Sequence, residues 1–200
     1  TDGAGASSAA TPAAVTITRG GGTAVLSGAG NIAECTSDND GATGRLLDGL
    51  AGAVMTLGDN AFPDGRLVDY QNCYDPTWGR HKGRTRPVPG NHEYQTPNAS
   101  GYFSYFGASA GPVSLGYYSY TLGSWFVLAL NSEVPARAGS AQYEWLKAEL
   151  AASPFACTVA MWHQPLFTSG PNDPAAHMRD IYRLLHQHGV ELVLNGHNHM

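Results

Sequence analysis

Five short stretches of the chain, four of them apolar strand runs and one proline-flanked, each end in a turn residue followed by polar side chains. The stretches are Ala24-Val25-Leu26, Val54-Met55-Thr56-Leu57, Arg86-Pro87-Val88-Pro89, Thr158-Val159-Ala160-Met161 and Leu192-Val193-Leu194. They lead into Gly30-Asn31, Gly58-Asp59-Asn60, Gly90-Asn91-His92-Glu93, Trp162-His163 and Gly196-His197-Asn198-His199. Short apolar runs bounded by turn signals read as buried strands. Between them the pattern changes to helical spacing. A helix is predicted over 42–50 with Leu46, Leu47 and Leu50 on one face. A second runs from a Ser140 cap to about Ala151 with Tyr143, Leu146 and Leu150 inward. A third is opened by Asp173-Pro174, stopped by Gly189 and striped by Met178, Ile181, Leu184 and Leu185. The aromatic and β-branched segment 117–130, turning at Gly123, reads as an antiparallel hairpin. Residues 60–90 carry the turn signals Asp64-Gly65, Asp75-Pro76 and Arg86-Pro87, and loops of that length are functional or well packed. Strands alternating with helices, plus a hairpin, predict a mixed α/β sandwich.

In open sheets of this kind, ligands collect beyond the carboxyl ends of the strands. The polar groups that follow the five runs are those a dinuclear metal centre needs. Asp59 offers a carboxylate able to bridge two cations, Asn91 a carbonyl oxygen, and His163, His197 and His199 imidazoles. Two cations together lower the pKa of a shared water and hold the oxygens of an in-line displacement. In an extended segment His197 and His199 point to opposite sides, so two metals, or one metal and a kinked loop, would use both.

Composition changes this picture little. Two hundred residues with 42% hydrophobic content suit one domain, expected over 21–200 behind a flexible tail at 1–20. The tail begins with small and polar residues, like the remnant of a cleaved signal peptide. A net charge of −5 gives no footprint for nucleic acid, and no apolar run is long enough to span a membrane. Abundant glycine and proline with few lysines suit a secreted or cell-envelope protein. There Cys35 and Cys73, both in polar loops, would be able to pair, while Cys157 reads as a buried thiol. Arg80, His81, Lys82, Arg84 and Arg86 form the one basic cluster, which leaves three readings open: a solvated loop, a phosphate-attracting rim, or an anchor for the insertion. His177, His186 and His188 read as surface residues, and Tyr94, Tyr102, Phe103, Tyr105 and Phe106 as core or pocket wall.

The order of the five motifs, Gly-Asn, Gly-Asp, Gly-Asn-His-Glu, Trp-His and Gly-His-Asn-His, resembles the calcineurin-like metallophosphoesterases from Ala24 to His199. Within them it is most similar to bacterial secreted members and to the purple acid phosphatase branch. The resemblance implies a four-layer fold, two mixed β-sheets flanked by helices, with two divalent or trivalent ions (Fe, Zn or Mn) and a small phosphoester substrate. It implies that Asp59 bridges both ions, that one ion also takes Asn31 and His199, and that the other takes Asn91, His163 and His197. His92 would lie beside the phosphate and protonate the leaving oxygen, and Glu93 would stand behind the ligands and fix a neighbouring ring. The chain departs from the family in three places. Asn31 replaces the usual Asp, which should weaken one metal position. Phe62 replaces the metal-binding Tyr of the purple branch, which should remove its charge-transfer colour. The chain also stops one residue after His199, where relatives continue with further strands, so the domain is expected to be incomplete at its C-terminus. Two functions follow as expectations: a dinuclear phosphomonoesterase or phosphodiesterase, or a catalytically impaired phosphate-binding or scaffold module.

Overall fold

A computed structural model describes residues 13–18 and 23–199, arranged as two four-stranded sheets with helices outside both. The first sheet runs β1 (Ala13–Thr18), β2 (Thr23–Ala29), β3 (Ala53–Thr56) and β4 (Thr85–Arg86). Its first pair is antiparallel and the other two are parallel. The helices packed on it are α1 (Asn39–Asp48) and α3 (Ser100–Phe106), with the single turn α2 (Leu67–Asp69) against α3. The second sheet runs β5 (Tyr118–Leu122), β6 (Trp125–Ala129), β7 (Cys157–Met161) and β8 (Leu192–Leu194). The β5–β6 hairpin is antiparallel and the rest parallel. Helices α4 (Ala141–Ala152) and α5 (Arg179–Gln187) cover its outer face. This is the expected four-layer sandwich.

Strand periodicity builds the layers. Along β6, Val127 and Ala129 join Leu26, Met55, Val159 and Met161 between the sheets. Phe126 and Leu128 point the other way, into a core with Leu146, Ile181 and Leu184 from α4 and α5. Because both faces are covered, these strands read as unbroken apolar runs rather than alternating ones. Each fully buried Leu, Val or Met contributes roughly 1.5–3 kcal/mol. Ser140 caps α4 by accepting from the Tyr143 amide at 3.3 Å. The stripe Met178, Ile181, Leu184 and Leu185 is buried as expected, although α5 proper begins only at Arg179, after a tight turn at Ala176–Met178.

Two expectations are corrected here. Part of the supposed tail, residues 13–18, is β1, because its β-branched alternation Val-Thr-Ile-Thr pairs with β2; residues 1–12, 19 and 20 of that tail lie outside the described residues. Helix α1 starts earlier than 42, and Leu46 is 57% exposed. Its buried face is Asp40, Thr43, Gly44 and Leu47, since Trp78 packs there and donates to the Asp40 carbonyl and the Thr43 hydroxyl. The insertion 60–90 is well packed, one of the two outcomes expected of a loop that long. Tyr70, Tyr74 and Trp78 are fully buried; the Tyr70 and Tyr74 rings both meet Tyr105 and Phe106, and Trp78 packs against Tyr74.

The basic cluster anchors this insertion. Arg84 donates to the Leu47, Leu50 and Gly52 carbonyls at the C-terminal end of α1, where a cation suits the helix dipole. Arg80 pairs with Asp48, Lys82 sits over the Tyr105 ring and Arg86 over Tyr120. A disulfide between Cys35 and Cys73 ties the loop after β2 to the same insertion, and Cys157 is buried in β7. Among the described residues no helix is long and apolar enough to cross a membrane.

Candidate metal centre

All five polar motifs emerge at the carboxyl ends of strands, and the two sheets meet there. Backbone pairing continues past the strands: the Asn31 amide donates to the Gly58 carbonyl at 3.0 Å, Ile32 to Asp59 at 2.9 Å, and Gly196 to His163 at 2.9 Å. Asn31, Asp59 and His197 all have positive φ, at 55°, 52° and 71°. Left-handed backbone at residues with a Cβ costs roughly 1–3 kcal/mol each and concentrates at functional sites. Here it turns each side chain from the strand direction into the crevice. Two glycines make the space. A Cβ on Gly58 would lie 2.5 Å from the His163 ring, and one on Gly90 would lie 2.3 Å from Asp59 Oδ1.

The groups converge on Asp59, which is 2% exposed. His163 is fully buried and reaches across from the second sheet. Its Nδ1 donates to the Leu57 carbonyl at 2.6 Å, which fixes the tautomer and aims Nε2 at the crevice. That Nε2 lies 3.0 Å from Asp59 Oδ2, 3.1 Å from Asn91 Oδ1 and 3.2 Å from His197 Nδ1. Ligand atoms held about 2.0–2.2 Å from one cation and at right angles to each other are spaced by roughly 3 Å. Asp59, His163 and His197 alone place their ligand atoms within 4.8 Å of one another. The charge pattern agrees. Burial opposes ionisation of Asp59, yet His163 and His92 hold its pKa below the usual value. Burial pushes His163 down, but Asp59 more than offsets this and raises it. Burial, together with His163, lowers His197 and keeps its lone pair available.

Asn31 and His199 lie beside this group in a different relation. Asn31 Oδ1 accepts the His197 amide at 3.0 Å, which turns its Nδ2 toward His199 Nε2 at 2.5 Å. The amide thus presents a donor, not an oxygen, to His199. His92 hydrogen-bonds through Nδ1 to the Pro63 carbonyl, so its Nε2 faces the crevice 3.9 Å from Asp59 Oδ2. The His92 amide also donates to Asp59 Oδ1 at 3.0 Å. Phe62 packs on His92 at 4.5 Å and near His199 at 6.3 Å between centroids.

Glu93 acts on backbone rather than on a ring. Fully buried, it accepts the Asp59 amide at 3.0 Å, Asn60 at 2.9 Å, Gly90 at 2.7 Å and the Tyr70 hydroxyl at 3.0 Å. One carboxylate therefore ties together the loops that carry Asp59 and Asn91. Burial and the Asp59 charge push Glu93 up to about 7, against the pull of its amide donors.

A sixth strand end escaped the sequence reading. Asn131-Ser132-Glu133 follows β6, and Asn131 is fully buried. Its Nδ2 donates to the Tyr94 hydroxyl at 2.8 Å and to the Leu115 carbonyl at 2.9 Å. Glu133 is raised by burial, with smaller influences from Ser132, His163 and Asp59. The signal was present, an apolar run followed by polar residues, but it lacked the glycine that marks most of the other motifs. His177, on the surface as expected, hydrogen-bonds the Ser132 carbonyl at 2.8 Å.

Two sheets under helices, with a carboxylate, an amide and imidazoles gathered at the strand ends, define an α/β phosphoesterase-type architecture. The chain belongs to the calcineurin-like phosphoesterase family, whose model matches residues 36–200. It is 30% identical over 163 residues to purple acid phosphatase 15 of Arabidopsis thaliana, covering 70% of this chain and 30% of that protein. Its fold is similar to purple acid phosphatase PPD1 of yellow lupin, with TM-score 0.65 and 15% identity over 88% of this chain and 40% of that one. It is similar also to GAP50, the anchor in the inner membrane complex of Plasmodium, with TM-score 0.64 and 15% identity over 86% of this chain and 65% of that one. The chain thus spans under a third of the curated relative's length.

Proposed function

We propose that this chain is the catalytic portion of an exported, metal-dependent phosphoesterase. The observation that carries the reading is the convergence of Asp59, Asn91, His163 and His197 from four separate strand ends, with His163 Nε2 lying 3.0–3.2 Å from a ligand atom of each of the other three. Iron, zinc or manganese suits such a mixed oxygen and nitrogen set. When bound, the cation would polarise a phosphoryl oxygen and acidify a water. Asp59 and His163 would hold it from the buried side, and His197 and Asn91 from the open side. His92 would place its Nε2 toward the substrate, with the Pro63 carbonyl fixing the ring, and deliver a proton to the departing oxygen. Glu93 would keep Asp59 and Asn91 in register by gripping their backbone.

The second cation is a different matter. Asp59 and His199 would serve it, but Asn31 turns an N–H, not an oxygen, toward His199. We infer one firmly held ion and one weak position in the chain as it stands. This observation also favours the second reading, a phosphate-binding module with reduced turnover. Hydrolysis of an aryl phosphate after reconstitution with manganese, zinc or iron tests the choice. Turnover that a chelator abolishes supports the enzyme; saturable phosphate binding without turnover at any metal concentration supports the module. The Cys35–Cys73 disulfide supports an oxidising compartment outside the cytoplasm.

A further inference from the structure

We propose, resting on the metal-dependent reading, that Asn172 and Asn198 are positioning residues for the cation site. Together they hold His197 in a strained turn and so set where its imidazole lies. The Asn198 amide donates back to the Gly196 carbonyl at 2.9 Å, which makes His197 the middle of a three-residue γ-turn. Its φ of 71° is that of the rare, strained form of this turn. Such a backbone persists only where the surroundings over-determine it. A relaxed His197 would swing its Nδ1 away from His163 Nε2, now 3.2 Å distant.

Two asparagine side chains from different elements grip the His197 backbone. Asn31 Oδ1 accepts its amide at 3.0 Å, and Asn172 Nδ2 donates to its carbonyl at 2.9 Å. Asn172 reaches the next residue as well, its own amide donating to Asn198 Oδ1 at 3.0 Å. The other end of the Asn198 side chain, Nδ2, donates to the Thr168 hydroxyl at 2.7 Å. Both ends of that amide are therefore held by the strap 165–175. The strap is closed at its base, where the Ala175 amide donates to the Pro165 carbonyl at 2.8 Å. Gly170 lets it lie flat on Asn198, since a Cβ there would sit 2.4 Å from Asn198 Oδ1.

The strap leaves β7 directly after His163 and Gln164, so one short segment links the two imidazoles that face each other in the candidate site. Asn198 stands between His197 and His199, and fixing the middle residue fixes the side to which each neighbour projects. Asn172 and Asn198 touch no reacting group in this scheme; they act through His197.

Calorimetric titration of manganese or zinc into the metal-free chain tests the assignment. Asn172→Asp keeps the side-chain shape but sets an oxygen against the His197 carbonyl, so ion affinity should fall roughly tenfold or more. Asn198→Asp should bind at least as tightly as the parent. Its carboxylate still accepts the Asn172 amide, and the Thr168 hydroxyl can turn to donate to it. Both Asp variants add the same charge near the ion, so a difference between them reads geometry rather than charge. Cobalt(II) in the same site should show a shifted visible spectrum in Asn172→Asp and the parent spectrum in Asn198→Asp. Urea unfolding checks that the metal-free variants fold. Should Asn172→Asp not fold, Asn198→Ala, which loses both strap contacts, should show the weakened binding against Asn198→Asp. Parent affinity in Asn172→Asp and Asn198→Ala, or equal losses in the two Asp variants, overturns the proposal. A parent that binds no ion removes the metal-dependent reading itself, a result distinct from either.

Discussion

Asn31 Nδ2 lies 2.5 Å from His199 Nε2, held there because Asn31 Oδ1 accepts the backbone N–H of His197. The same hydrogen bond that orders the last motif also points the nitrogen end of the amide toward His199, where a second cation is proposed. A carboxylate would keep the bond to His197 with one oxygen and offer the other as a ligand. Asn31→Asp should therefore bind a second ion and raise phosphoesterase turnover roughly tenfold or more, since two cations acidify a shared water further than one. Elemental analysis after dialysis, paired with initial rates, checks this; unchanged metal content would show that position 31 is only a turn residue.

His92→Ala should leave metal content intact, because the ring faces the crevice from outside the four converging donors. Turnover should drop by roughly 10²–10⁴-fold, the usual worth of a positioned general acid. Loss of metal in this variant would mean that His92 is a ligand.

Glu93 gives a pH prediction for the metal-free protein. Its folded value of about 7 lies above the 4.5 of an ordinary glutamate. The folded state therefore keeps a proton that the unfolded chain releases, and the stability this contributes is present below pH 4.5 and lost as pH rises to about 7. Across that window the loss is at most roughly 3 kcal/mol. Glu93→Gln cannot titrate, so urea midpoints measured at both ends of the window should differ less in the variant than in the parent. An equal pH dependence in both proteins would remove Glu93 as the cause.

The Cys35–Cys73 bridge spans 38 positions and fastens the loop after β2 to the aromatic insertion. Cys73→Ser should lower stability by about 2–4 kcal/mol, in line with a loop of this size. Reductant should lower the parent's stability, read from its urea unfolding curve, by the same amount and leave the variant untouched. A reductant effect that persists in Cys73→Ser would place the sensitive group elsewhere.

Much of the architecture was legible because strands buried on both faces, such as β6 and β7, write themselves as unbroken apolar runs. The candidate site was legible because Gly58 and Gly90 flag backbone that must come close to other groups. What escaped was set by tertiary partners. Leu46 looks like a core residue until Trp78 claims the Thr43–Gly44 face of α1. The role of Glu93 depends on amides brought to it from residues 59, 60 and 90, which no local pattern records. Asn131 has no neighbouring glycine, and its buried position rests on Gln142 eleven residues away.

Asp59, Asn91, His163 and His197 are proposed to form one tight cation site that drives phosphoester hydrolysis. Calorimetric titration of manganese or zinc into the metal-free chain, with aryl phosphate hydrolysis followed in parallel, tests it most directly. One tight binding event is expected, lost in His163→Ala, with activity rising in step with occupancy. Tight binding that survives His163→Ala, or hydrolysis indifferent to added metal and chelator, would contradict it.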